Sequence, residues 1–158
     1  MIKGERPTFA GKWYHTTDAL ANPRLRDHIP LMIGGSGEKK TIPLAARHFD
    51  HLNVIAGFDE LPAKVKVVQQ RCEEIGRDPA TLETSSLITV VVDENFKPDQ
   101  IPAEMTQRMA VGSAESVADQ LKTKVLDAGI DALIINVPFY TPGVISAAGE
   151  ALRPLVGL

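Results

Sequence analysis

The sequence predicts a parallel α/β fold, and two observations carry that expectation. Short, almost wholly apolar runs alternate with stretches whose apolar residues recur at helical spacing, and this happens four times from residue 31 onward. The runs are also near-continuously apolar, as strands covered on both faces are, and β–helix alternation of that kind closes into a parallel sheet. The chain has 158 residues, 44% apolar and 23% charged, which suits one soluble domain. A chain of this length buries roughly 70% of its unfolded surface.

Residues 1–30 hold Pro7, Pro23 and Pro30 without sustained periodicity and read as a connector; within it, Thr8 to Tyr14 suits a small hairpin around Gly11. Residues 31–158 carry the regular pattern. Pro30-Leu31-Met32-Ile33 reads as a strand stopped by Gly34-Gly35-Ser36-Gly37, followed by a helix over 38–49, with Pro43 tolerated in its early turns. A second strand over 50–55 leads to a helix marked by Leu61, Val65, Val68, Cys72 and Ile75, with Asp59 as N-cap and Gly76 as the residue beyond its end. Leu87 to Val92 forms the third strand, and the polar residues 93–111 hold at most a short helix. Ser113 caps a helix bearing Val117, Leu121, Val125 and Leu126, ended by Gly129; Ala132 to Val137 is the fourth strand, and Ile145, Ala148 and Leu152 mark the closing helix.

Several functions are disfavoured at once. A net charge of −3 and scattered Lys and Arg argue against a nucleic-acid surface. The N-terminal MIKGERPTF has no apolar stretch for export, and the uncharged run over 132–149 is broken by Pro138, Pro142 and Gly143, so a cytoplasmic protein is expected. Cys72 lies on a helix's apolar stripe and reads as a packed thiol. His48 and His51 straddle a helix end and a strand, so no metal site is expected. The neighbouring carboxylates Glu73/Glu74 and Asp93/Glu94 do not face each other and read as solvated. Trp13 and Tyr14 read as packing residues. No nucleophile–base arrangement is present in the pattern, and the catalytic residues stay unknown.

The best candidate for chemistry is Gly34, Gly35, Ser36 and Gly37, between a strand and a helix start. Glycines let amide groups approach an anion, a helix N-terminus adds free donors, and Lys39 and Lys40 stand ready to screen phosphate charge. The spacing matches neither the P-loop, since Glu38 follows Gly37, nor the dinucleotide fingerprint. A phosphate cradle and a plain tight turn both fit. Gly112-Ser113-Ala114-Glu115 is a second glycine-to-helix turn, and there a structural role explains the residues.

Three segments in order resemble the C-terminal half of luciferase-like monooxygenases, especially the branch that uses coenzyme F420. They are Phe9-Ala10-Gly11-Lys12-Trp13-Tyr14 with Asn22-Pro23-Arg24; Ile29 to Gly37 with Leu44-Ala45-Ala46-Arg47 and Asp50; and Val111 to Ala118 with Ala128-Gly129-Ile130-Asp131. The resemblance implies half of a TIM-type (β/α)₈ barrel, about its last four strands, with Gly34 to Gly37 on the active face against the cofactor's phosphate. It implies a redox cofactor, coenzyme F420 in preference to FMN, an unknown small-molecule substrate and oxidoreductase chemistry whose acid–base residues belong to the other half. Four strands cannot close a barrel, so pairing with a second copy or with a separate N-terminal half is expected. The alternative is a non-catalytic half-barrel that self-associates and binds a phosphorylated ligand or nothing. A small doubly wound domain with another phosphate ligand is also compatible with four βα units.

Overall fold

The computed structural model describes residues 4–20, 28–99, 101–138 and 141–156. The chain divides into two compact units, Met1–Leu31 and Met32–Leu158. In the first, β1 (Phe9–Ala10) and β2 (His15–Thr16) pair antiparallel, and the Gly11 N–H donates to Tyr14 O at 2.9 Å to close the hairpin. Trp13 and Tyr14 do not pack as expected. At the hairpin tip they are 78% and 80% exposed, with the Lys12 ammonium 4.8 Å from the Trp13 ring centre. Asn22-Pro23-Arg24 lies outside the described residues.

The second unit is a parallel sheet of β3 (Met32–Gly34), β4 (His51–Val54), β5 (Glu83–Val92), β6 (Met109–Gly112) and β7 (Ala132–Asn136), with helices α1 (Thr41–His48), α2 (Leu61–Glu73), α3 (Ala103–Thr106), α4 (Ala114–Leu121) and α5 (Val144–Leu152). β4 pairs with β3 and β5; β7 runs along Ser85–Thr89 of β5, and β6 along Thr89–Val92. The predicted strands are β3, β4, β5 and β7. β6 was not anticipated: Met-Ala-Val-Gly is short and weakly β-forming, and it read as part of the approach to α4. β5 starts four residues earlier than expected because Thr84, Ser85 and Ser86, buried and hydrogen-bonded, continue the ladder.

The helices follow their stripes. Leu61, Val65, Val68 and Cys72 of α2 are all buried, each apolar side chain there contributing about 1.5–3 kcal/mol relative to exposure. Ile75 falls past the end of α2 and is exposed. Asp59 is not the N-cap: a 3₁₀ turn over Phe58–Glu60 precedes α2, and Glu60 reaches back to accept from the Gly57 N–H. Gly76, at φ +71, does end the helix, with Arg77 N–H donating to Cys72 O. α1 begins at Thr41, three residues later than predicted, and α4 widens into a π-turn over Lys122–Leu126. Arg77 secures α1 from below, its Nη1 donating to Ala46 O at 2.9 Å and Phe49 O at 2.8 Å.

Alternation sorts the sheet into two faces. Leu52, Val54, Ile88 and Val90 join the helices in one core. The other face carries Met32, Gly34, His51, Asn53, Ser85, Leu87, Thr89, Ile134 and Asn136, none covered by a helix of the core; Met32, Ile55 and Ile134 are exposed.

Candidate functional site

Gly34 ends β3, and Gly35 to Lys40 turn the chain from the carboxyl end of that strand into α1. The Gly35 N–H donates to Asn53 O at 2.9 Å, which ties the turn to β4. Gly35 has φ +142, a conformation that disfavours side chains, and a Cβ there would meet Thr41 Cγ2 at 3.0 Å. A Cβ at Gly37 would meet Thr41 Oγ1 at 3.1 Å. The Thr41 side chain thus nests under the turn, where the backbone at Gly35 calls for glycine and a Cβ at Gly37 would crowd the Thr41 hydroxyl.

The amide inventory gives the turn its character. Among the described residues, no N–H from Ser36 to Thr41 donates to a protein acceptor, and the hydroxyls of Ser36 and Thr41 are likewise unengaged. The first bond of the helix runs from the Ile42 N–H to Gly37 O, and Pro43 has no N–H to satisfy. α1 carries no side-chain cap and no acidic residue in its first turn. The acid in the turn is held aside: Lys64 Nζ lies 2.7 Å from Glu38 Oε1, and its hydrogen bond and charge keep that carboxyl below its ordinary range. Lys39 and Lys40 make no ion pair among the described residues. This is a run of free donors at a helix start with two lysines beside it, a chemistry suited to phosphate oxygens. Thr41, which adds a hydroxyl, was overlooked in the sequence; its position one residue inside a helix start was the available signal.

The second glycine turn is built differently. Gly112 also has positive φ, at +136, but there Ser113 Oγ accepts from the Ser116 N–H and Glu115 sits in the first turn, so α4 has the side-chain cap and the acid that α1 lacks. The histidines do not converge. His48 ends α1, whereas His51 lies on β4 with Nε2 2.7 Å from Ser85 Oγ and Nδ1 3.4 Å from Glu83 Oε2. No group of three or more metal-ligating side chains occurs among the described residues. Cys72 is buried, which pushes its thiol pKa up and keeps it unreactive. A cavity of about 620 Å³ lies in the helical layer between α2 and the π-turn and touches none of the Gly34–Thr41 residues. No helix among the described residues is long and apolar enough to cross a membrane.

The sequence profile of the luciferase-like monooxygenase family matches residues 1–98. The chain belongs to that family. No curated protein matches it. Among solved structures, 96% of the chain superposes on 56% of an F420-dependent secondary alcohol dehydrogenase bound to an F420–acetone adduct, at TM-score 0.76 and 20% identity. It covers 57% of the coenzyme F420-dependent tetrahydromethanopterin reductase from Methanopyrus kandleri, at TM-score 0.68 and 14% identity. A riboflavin lyase, solved with modified FMN and riboflavin, is covered to 49% at TM-score 0.67 and 12% identity. The likeness is one of fold, and the chain spans about half the length of each of these proteins. In this light β3, β4, β5 and β7 are half of a TIM-type (β/α)₈ barrel, with the helix-free face as its interior.

Proposed function

We propose that this luciferase-like chain supplies the cofactor-phosphate seat of a flavin- or deazaflavin-dependent oxidoreductase, formed by Gly34, Gly35, Ser36, Gly37 and the start of α1. The run of unengaged amides from Ser36 to Thr41 carries this reading: no side chain caps α1, whereas at α4 the Ser113 hydroxyl accepts from the Ser116 N–H. The position agrees with it: active sites of (β/α)₈ barrels lie at the carboxyl ends of the strands. The cofactor supplies hydride or oxygen chemistry when bound, and this chain's part is to grip and orient it. Coenzyme F420 is the preferred cofactor, on the sequence resemblance and on the F420-dependent enzymes among the similar structures; FMN is the competitor.

The reading also requires a second half-barrel, either another copy of this chain or a separate N-terminal half. The open edges of β3 and β7 and the exposed Met32, Ile55 and Ile134 favour it. Light scattering across micromolar dilution tests the first option, and a stable monomer there excludes self-pairing. The phosphate seat is tested by following cofactor fluorescence as the purified chain is titrated with coenzyme F420 and with FMN. Saturable binding of one, lost in Gly35→Asp, is the expected result. Equal binding by wild type and Gly35→Asp removes the turn from the site.

A further inference from the structure

The interior face holds polar side chains at two levels, and they differ in how well they are satisfied. At the lower level Asn53 Nδ2 donates to Ser85 Oγ at 2.9 Å, and His51 closes on the same hydroxyl, so the groups answer one another. At the upper level Thr89 and Asn136 are directly registered partners on β5 and β7. Asn136 Nδ2 donates to Thr89 Oγ1 at 3.2 Å, and among the described residues neither side chain makes another hydrogen bond. That leaves the Asn136 carbonyl, its second N–H and the Thr89 hydroxyl proton unused. Thr89 is only 9% exposed, and a buried hydroxyl ordinarily uses its proton. Beneath the pair lie Leu87 and Ile134, registered with each other on the same face, which give an apolar floor.

We infer that Thr89 and Asn136 hold the edge of the cofactor's heterocyclic ring, opposite the phosphate turn. This rests on the proposed reading of Gly34–Thr41. Adjacent acceptor and donors over an apolar floor complement a flat ring whose edge alternates C=O and N–H, the edge that flavins and deazaflavins share. Both elements lie toward the carboxyl ends of their strands: Gly34 is level with Ser85 and Ala132, and Thr89 and Asn136 stand four residues farther along β5 and β7. The pair therefore recognises the ring and does not discriminate between the two cofactor types.

The test compares ligands with and without phosphate: FMN against riboflavin, and coenzyme F420 against its phosphate-free deazaflavin core, each titrated into the purified chain by fluorescence. Asn136→Leu and Thr89→Val weaken both members of a pair by the same factor, about tenfold for a lost ligand hydrogen bond. Thr89→Ser restores the affinity. Gly35→Asp, in contrast, weakens only the phosphate-bearing member. Should Asn136→Leu compromise folding, the near-isosteric Thr89→Val with its Ser rescue decides alone. Wild-type affinity for riboflavin in Thr89→Val, with the Gly35→Asp effect intact, overturns this inference and leaves the phosphate seat standing. Failure of wild type to bind any of the four compounds overturns both.

Discussion

Two turns in this chain begin alike and end with opposite chemistry. Gly35 follows a parallel strand and Gly112 ends one, both have strongly positive φ, and at each a Cβ would press on a hydroxyl-bearing residue of the following helix, Thr41 or Ser116. In the second turn the helix start is capped by its own residues, with Ser113 accepting from one donor, the Ser116 N–H, Glu115 facing the dipole and Gln120 Nε2 donating to Val111 O. In the first it is left open, and its acid is drawn away by Lys64. An uncapped helix start costs about 1 kcal/mol. The fold offsets it at the other end of the same helix, where Arg77 binds the last carbonyls of α1, whereas α4 is secured at its start and widens into a π-turn at its end.

Substitutions separate the two turns. The largest effect is expected from Arg77→Ala, which strips part-buried carbonyls of α1 of a charged partner and lowers stability by about 2–4 kcal/mol in urea unfolding. A loss below about 0.5 kcal/mol would mean that α1 does not depend on this anchor. Next come Gly35→Ala and Gly112→Ala, each expected to cost about 1–3 kcal/mol from backbone strain and the crowded Cβ. Only Gly35→Ala should also weaken FMN or F420 binding in the fluorescence titration; equal binding losses in the two variants would erase the distinction between the turns. Ser113→Ala is the mildest, at about 1 kcal/mol with cofactor affinity unchanged.

Much of this was legible in the residues. The stripe of Leu61, Val65, Val68 and Cys72 has one amphipathic solution, and the helix it marks is there. The glycines at 34, 35 and 37 pointed to a strand-to-helix turn whose spacing left its ligand open. Less legible were β6 and the first residues of β5. Met109 to Gly112 has little intrinsic strand preference and pairs only because the far half of β5 offers an edge, while Thr84, Ser85 and Ser86 look like a polar loop until their hydroxyls find partners. Asp59 had the right chemistry for a cap, but the 3₁₀ turn gave that role to the Gly57 backbone and Glu60.

Periodicity and glycine placement thus determined, from the sequence by itself, the βα alternation, the buried faces and the position of the Gly34–Gly37 turn, because these depend on local geometry and on where apolar side chains must go. Which donors stay unengaged, which hydroxyls are neutralised and which residues from β5 and β7 meet above Leu87 and Ile134 were decided only by the tertiary structure. Hydrogen-bond satisfaction joins groups as far apart in sequence as Thr89 and Asn136, and no local pattern encodes a partner at that distance.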